Sequence, residues 1–307
     1  SGDHAAACLA SRYSDDDGRT WSGGDVTVIT NEGAMNVMSV SLLRLQDGTI
    51  ALFYLRKNGE DDCQPLMRIS RDEASTWSEP VRCINEPVGY YVVNNDRVIQ
   101  TRSGRLIIPA ALHALKGEKF SSRGKVICYL SDDNGSSWRP SNTILEAPES
   151  LSTGFQEPGV VELSDGRIMM LLRNNSGVLY RSLSDDGGVT WGEATPTNLK
   201  TPVSPASCEM LPGTNTLLLL WNDHENIPEA LKDKRTPLAL ACSKDGGETW
   251  AAKYVLEDNP SGWYCYTAIE FTETHVLLAY CAGDTRKMPG LSLTRIARIP
   301  IEILKEM

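Results

Sequence analysis

SDDDGRTW, at residues 14–21, is the first of five copies of one short segment in this chain. The other copies are SRDEASTW at 70–77, SDDNGSSW at 131–138, SDDGGVTW at 184–191 and SKDGGETW at 243–250. Their tryptophans are 56, 61, 53 and 59 residues apart. A period of this length is typical of proteins that place one four-stranded sheet, or blade, in each repeat. The repeat therefore predicts a β-propeller.

Each position of the segment has a structural explanation. The aspartate at its third position can accept backbone N–H bonds within a turn, the glycine allows a positive φ, and the tryptophan can pack under the hairpin. A residue that recurs in every repeat is better explained by the fold than by chemistry at a single site. We therefore assign no catalytic or metal-binding role to Asp16, Asp72, Asp133, Asp186 and Asp245.

Short apolar runs separated by turn residues lie between the copies and predict the strands. The expected first hairpins are 40–45 with 50–55, 98–101 with 106–111, 159–163 with 168–172, 209–211 with 217–221, and 267–271 with 276–280. Residues 291–304 are expected to be the last repeat's third strand. No hairpin precedes the first copy, so we predict one all-β domain over 1–307, a six-bladed β-propeller whose first blade is incomplete at its N-terminal side. A five-bladed ring is the alternative.

The composition excludes several classes of protein. A net charge of −10 and a pI near 5.0 argue against nucleic acid or an anionic membrane as partner. The eight cysteines are far apart without a CxxC pair, which indicates thiols in a reducing cytoplasm and no zinc site. We expect no cofactor and no metal, and we expect a monomer that binds a small molecule or glycan.

Polar residues gather where the predicted first strands begin and the second strands end. In a propeller these places lie at one end of the ring, opposite the repeated turns. The mixture of amides, acids, phenols and guanidinium groups is typical of a sugar site, and arginine forks indicate an anionic substituent. Asn95, Asp223 and His224 are candidate substrate-binding residues on this rim.

Two further segments make the chain resemble the sialidase (neuraminidase) superfamily of repeat propellers. QEPGVVELSDGR at 156–167, followed by LLRN at 171–174, is similar to the sialidase segment that carries the glutamate partner of the nucleophile and the second arginine of a carboxylate-binding triad. This resemblance implies those roles for Glu157 and Arg173. GWYCYTAI at 262–269 resembles the segment of the tyrosine nucleophile, which implies Tyr264 as first choice and Tyr266 as second. Arg235 falls where the third arginine is expected.

The chemistry explains why a tyrosine is used. The sugar carries a carboxylate on its reacting carbon, which repels a carboxylate nucleophile but not a neutral phenol. Because a phenol has an ordinary pKa of about 10, a neighbouring glutamate must remove its proton. The arginines would hold the carboxylate of the substrate through paired N–H bonds.

The chain departs from the sialidase pattern at two places. The first arginine of the triad is missing, and Met38 stands at the equivalent place in the next repeat. The general acid is not where the family has it; Asp96 is our choice, with Asp61 and Asp62 as alternatives, and Asp96 could instead be a structural partner of Arg97. We therefore predict a retaining exo-glycosidase that removes a terminal acidic or deoxy sugar. The alternatives are an inactive carbohydrate-binding propeller and a protein-binding scaffold.

Overall fold

The computed structural model describes residues 3–306, apart from the side chain of residue 252, and is almost entirely β-structure. Its described helices are a 3₁₀ turn at Glu229–Leu231 and a terminal helix, α1, at Ile301–Glu306. Neither is long or apolar enough to cross a bilayer. The chain divides into two compact units. The first comprises the residues up to Tyr13, Ser22–Val160 and Ser184–Gly192, and the second comprises Ser14–Trp21, Val161–Leu183 and the residues from Glu193 onward.

The first unit contains a two-stranded and a nine-stranded sheet. The small sheet pairs β1 (Leu9–Ser11) with β2 (Val26–Ile29). The large sheet has the order β11-β10-β9-β7-β5-β4-β3, with β6 beside β5 and β8 beside β9. Its strands are β3 (Asn36–Arg44), β4 (Ile50–Gly59), β5 (Asp62–Ser70), β6 (Val81–Arg82), β7 (Gly89–Val92), β8 (Ile99–Gln100), β9 (Leu106–Leu115), β10 (Lys125–Ser131) and β11 (Arg139–Pro140).

Two consecutive repeats are joined in this large sheet. The predicted hairpin of 40–45 with 50–55 is present as the antiparallel pair β3 and β4. Strand β7 was not predicted; it pairs in parallel with β5 through Cys63 and Tyr90 and antiparallel with β9. This parallel pairing places residues of two repeats in one row across the sheet.

The remaining sheets have four, four and three strands in sequential order. The first begins with β12, within which the boundary between the units falls. The strands are β12 (Gln156–Glu162), β13 (Ile168–Arg173), β14 (Val178–Ser184), β15 (Thr195–Lys200), β16 (Ser207–Met210), β17 (Leu217–Trp221), β18 (Leu238–Ser243), β19 (Ala251–Glu257), β20 (Gly262–Phe271), β21 (His275–Asp284) and β22 (Thr294–Pro300).

The end of the last predicted strand was wrong. Residues 291–304 were expected to form one strand, but the strand covers Thr294–Pro300 and helix α1 follows it. Ile301 and Leu304 are both buried in the core of the second unit. Because they are three residues apart, a helix places them on the same face, whereas a strand would point them in opposite directions.

The five copies of the repeated segment have one hydrogen-bonding pattern, which confirms their structural interpretation. In the last copy, the carboxylate of Asp245 accepts bonds from the hydroxyl of Ser243 and from the backbone N–H and hydroxyl of Thr249. Each copy connects two consecutive antiparallel strands, and its glycine has a positive φ, such as +84° at Gly247. In the second copy Ala74 adopts this left-handed conformation instead, with φ of +64°.

These hydrogen bonds make the stability of the turns depend on pH. Bonds from Thr249 and Ser243 lower the pKa of Asp245 to about 2. The carboxylate therefore stabilises the fold above its unfolded pKa of about 4, and this contribution is lost as the pH falls towards 2. We expect Asp245→Asn to lower the free energy of unfolding at pH 6 by about 1 kcal/mol and to have little effect at pH 2. Urea titrations of both proteins at the two pH values would measure this, and an equal difference at both would contradict it.

The first copy of the segment packs on the last sheet within the second unit. The guanidinium Nε of Arg298 on β22 donates to the carbonyl oxygen of Asp17 at 2.8 Å. The side chain of Leu277 on β21 lies against Gly18, where a Cβ atom would come within 2.8 Å of it. The first copy and the last sheet are thus held together by direct contacts.

Candidate functional site

Four residues outside the repeated turns have a left-handed backbone at equivalent places. They lie near the start of the first hairpin in their repeats, and three of them come eight or nine residues before the glycine of the hairpin turn. Such a conformation is costly for residues other than glycine and is concentrated at functional sites. The residues and their φ values are Ser39 (+59°), Asp96 (+56°), Glu157 (+42°) and Tyr266 (+56°). Three of the four, Asp96, Glu157 and Tyr266, were candidate site residues from the resemblance to the sialidases.

In the first unit, the candidates Asn95 and Asp96 lie on the loop before β8. The backbone N–H of Asp96 donates to the carbonyl oxygen of Val40 at 2.9 Å, which ties this loop to β3. Arg97 contacts the backbone oxygen of Asp96 through Nη1 at 3.5 Å. Both Asn95 and Asp96 are partly exposed. Of the two alternative choices, Asp61 accepts bonds from Lys116 Nζ and the backbone N–H of Gly117, and Asp62 accepts a bond from Asn58 Nδ2 at 3.3 Å.

Glu157 is the second residue of β12 and also belongs to the first unit. Its side chain is partly exposed. The preceding residue, Gln156, donates through Nε2 to the carbonyl oxygen of Ser122 at 2.7 Å and so fixes the start of the strand.

In the second unit, Arg235 and Tyr266 lie together. The guanidinium carbon of Arg235 is 5.2 Å from the centre of the Tyr266 ring and 5.0 Å from that of Trp263. Arg235 is only 7% exposed, and its Nη2 donates to the carbonyl oxygen of Val203 at 3.3 Å. Burial alone would lower the pKa of Arg235, but the neighbouring Cys265 and Tyr266 side chains raise it overall, so the group stays charged. Arg235 is a buried cation beside a phenol.

Tyr264 has quite different surroundings. Its side chain is 3% exposed and belongs to the apolar core of the second unit, where its ring meets that of Tyr280 edge to face at 6.4 Å. Burial, and then the charge of Glu257, raise the pKa of Tyr264 to about 12. The ring also lies over Gly262, where any Cβ atom would clash with it. These contacts describe a structural tyrosine.

A bulge in β20 separates the two tyrosines. In a regular strand, residues 264 and 266 would point to the same side. The pairing with β21 is irregular between Cys265 and Ala268, and Tyr266 has its left-handed φ within this interval. The bulge is tied to β16 by Thr267, whose hydroxyl donates to the Ser207 hydroxyl at 2.5 Å, while that hydroxyl donates to the Thr267 carbonyl at 2.7 Å. It re-aims the Tyr266 side chain towards Arg235.

Glu257, which the sequence did not single out, holds the structural tyrosines. Its carboxylate accepts a bond from the Tyr280 hydroxyl at 2.8 Å and forms an ion pair with Arg295. Because the Glu257 carboxylate and the Tyr280 side chain are largely buried, we expect Glu257→Gln to lower the free energy of unfolding by about 2 kcal/mol. Glu248 pairs with Arg181 at an exposed position, so the control Glu248→Gln should cost under about 1 kcal/mol. Thermal unfolding of the two variants would compare them, and equal losses would contradict the assignment.

The other candidate residues of the second unit lie at separate places within that unit. Arg173 is the partly exposed last residue of β13. Asp223 forms an ion pair with Lys253 at 3.2 Å, whereas His224 Nε2 bonds the carbonyl oxygens of Lys234 and Thr236. Asp223 and His224 therefore have different partners. Burial lowers the pKa of His224.

His224 lines a cavity of about 360 Å³ within the second unit. Lys200, Thr201, Val203 and Lys232 also line it, and Val203 is the residue whose carbonyl accepts the bond from Arg235. The volume is that of a small-ligand pocket. Among the described residues, no group of three histidine, cysteine or acidic side chains is close enough to hold a metal ion.

Comparison with known proteins agrees with the repeat and with the sheets. The chain matches the BNR repeat-like domain over residues 12–277 and belongs to that family. It is 25% identical over 264 residues to the anhydrosialidase of Macrobdella decora, covering 78% of this chain and 32% of that protein. It is 27% identical over 154 residues to the sialidase of Micromonospora viridifaciens, covering 47% of this chain and 22% of that one.

Among solved structures, the Hadza microbial sialidase Hz136 superposes with a TM-score of 0.76 at 20% identity. The superposition covers 96% of this chain and 60% of that one. The chain therefore has the propeller fold of the sialidases, and it spans a third or less of the length of the two sequence relatives named above.

Proposed function

We propose that this chain is a glycosidase of the sialidase type that removes a terminal acidic sugar from a glycan. The observation that carries the proposal is the pair formed by Arg235 and Tyr266, in which a buried cation lies 5.2 Å from a phenol on a left-handed backbone. Because an arginine can hold a carboxylate and a phenol can attack an anomeric carbon beside one, the two groups suit the same substrate.

The nucleophile in this proposal is Tyr266, and no longer Tyr264. Tyr266 shares its place in the repeat and its left-handed φ with Asp96 and Glu157. Tyr264 lies in the core, where a sugar has no access. The phenolic oxygen of Tyr266 would bond to the anomeric carbon as the bond to the leaving oxygen breaks, and water would then release the sugar with retained configuration.

Glu157 and Asp96 complete the reaction as predicted from the sequence. In this proposal Glu157 has the role of the general base and Asp96 that of the general acid. Arg173 would be a second cation for the carboxylate. The left-handed conformation that Glu157 and Asp96 have in common with Tyr266 supports their assignment.

Closure into six blades is part of the proposal. The contact of Arg298 with Asp17, within the second unit, supports it, since a ring requires the first repeat to pack on the last.

Turnover of synthetic glycosides tests the proposal. We expect release of the fluorophore from a 4-methylumbelliferyl sialoside, or from a uronoside or rhamnoside of the same kind, and loss of that activity in Glu157→Gln. Titration with the matching free sugars should accompany the assay. Sugar binding without turnover of any substrate would favour the inactive carbohydrate-binding propeller. The absence of both binding and turnover would refute the glycosidase and the carbohydrate-binding propeller alike.

A further inference from the structure

A row of four residues crosses the large sheet of the first unit. Asn36 on β3 is the register partner of Lys57 on β4, Lys57 is that of Cys63 on β5, and Cys63 is that of Tyr90 on β7. Register partners point to the same side of a sheet. The amide, the ammonium group and the phenol ring are therefore neighbours for reasons of topology.

Lys57 in this row is fully buried, at 0% exposure. Its Nζ donates to the carbonyl oxygen of Asp3 at 3.0 Å and lies 5.0 Å from the centre of the Tyr90 ring. Within the described residues it forms no ion pair with a carboxylate. Lysine is almost never fully buried without such a partner, because a carbonyl oxygen and a ring face compensate only part of its charge.

Negative charge is present nearby without pairing with Lys57. Burial raises the pKa of Tyr90, and the negative charges of Cys63, Asp3 and Glu60 raise it further. Glu60 lies 3.9 Å from His4, and both of these side chains are mostly exposed. The Lys57 ammonium group therefore bonds the carbonyl oxygen of Asp3 and not a carboxylate.

Asn36 has the same unusual environment. Its Nδ2 donates to the carbonyl oxygens of Asp3 at 2.9 Å and of Ala5 at 3.1 Å, although the residue is only 3% exposed. Its Oδ1 is buried and has no hydrogen-bond partner among the described residues. Two donors thus converge on the Asp3 carbonyl oxygen, with an unused acceptor beside them.

We infer that Asn36, Lys57 and Tyr90 form a binding site for the carboxylate of an acidic sugar, and that residues 3–5 keep this site closed. The Asp3 carbonyl oxygen occupies the position of a carboxylate oxygen, which the ammonium and amide groups would bind more strongly because the acceptor is then charged. Asn36 Oδ1 would accept a bond from a sugar hydroxyl, and the Tyr90 ring would form one wall. This inference rests on the proposed function in one respect, namely that the ligand is an acidic sugar.

Binding of a sialic acid analogue to the full chain tests the donor pair. The probe is 2-deoxy-2,3-dehydro-N-acetylneuraminic acid, titrated by calorimetry into chains that all carry Arg235→Met, so that the carboxylate site of the proposed function does not contribute. We expect Lys57→Gln to weaken binding at least about tenfold, because a charge-assisted bond is lost. Lys116 bonds the exposed Asp61 and lies outside the row, so the control Lys116→Gln should bind as the unmodified chain does.

A second pair of substitutions tests the closing segment. Ala5 and Ala6 are exposed, and replacing both with glycine increases the freedom of the segment when it is released. The apparent affinity rises with the fraction of molecules in which residues 3–5 have left the site. We therefore expect the double glycine variant to bind the probe about threefold to tenfold more tightly. The gain should disappear when Lys57→Gln is added.

If Lys57→Gln fails to fold, acetylation of Lys57 in the unmodified chain provides a second test. The unmodified chain is treated with an acetylating reagent with and without the probe, and modification of Lys57 is followed by mass spectrometry. Protection of Lys57 by the probe supports the inference. The inference is overturned if the probe leaves the acetylation rate of Lys57 unchanged. It is also overturned if the Lys57 variant and the double glycine variant bind the probe as tightly as the unmodified chain does.

The outcomes are independent of the proposed function. A chain that hydrolyses sialosides but binds the probe without regard to Lys57 refutes only this site. A chain that binds the probe through Lys57 but hydrolyses nothing refutes only the glycosidase.

Discussion

Tyr266→Phe should reduce kcat for the best glycoside substrate by about 10³-fold or more, while Tyr264→Phe should keep kcat within a few-fold. The first substitution removes the oxygen that we propose as nucleophile, next to Arg235. The second removes a hydroxyl from the protein core, where the ring packs on Tyr280. Steady-state kinetics of both variants on the same substrate would measure the difference.

The two phenylalanine variants act as controls for each other. Tyr264→Phe is expected to lower the free energy of unfolding by about 1 kcal/mol, since the Tyr264 hydroxyl is near the carboxylate of Glu257. Tyr266→Phe should unfold close to the temperature of the unmodified protein. If Tyr264→Phe proves inactive while still folded and Tyr266→Phe retains activity, the original choice of nucleophile from the sequence was right.

Arg235→Met should lower kcat/KM by about 10²-fold, with most of the effect in KM. The reason is that a buried guanidinium group makes a stronger bond to a carboxylate than an exposed one does, and Arg235 is already desolvated. Arg235→Lys keeps the charge but loses the planar fork, so it should recover only part of the loss. Kinetics with the fluorogenic substrate, together with thermal unfolding, would measure both variants.

The matched control for this series is Arg181→Met. Arg181 forms an ion pair with Glu248 and bonds the backbone of Gly247, which places it at a repeated turn. Its replacement should change stability without changing KM. An equal rise in KM for the Arg181 and Arg235 variants would mean that loss of structure, and not of a carboxylate clamp, explains the effect.

The strands could be predicted from sequence because their signals are local. The aspartate turns, the apolar runs and the glycines of the hairpins each act within a few residues, and the first hairpins are found close to the predicted ranges. Strand β7 was missed since its parallel partner, Cys63, lies in another repeat. The terminal helix was missed because the apolar run continues from β22 into it.

The choice between Tyr264 and Tyr266 depended on a bulge that alternation does not predict. Both tyrosines are in one apolar strand, and a period of two assigns them to the same side. The backbone conformation distinguishes them, since Tyr266, and not Tyr264, has the left-handed φ that Asp96 and Glu157 also have.

The contact between Arg298 and Asp17 has a consequence for the order of folding. It joins residues 281 positions apart, so the chain entropy lost in forming it is large, and it can form only after β22 has been synthesised. During translation, residues 14–21 of the second unit must therefore wait until β22 has been synthesised. A nascent chain stopped before β22 would expose an unpaired edge of β21 and depend on chaperones until release.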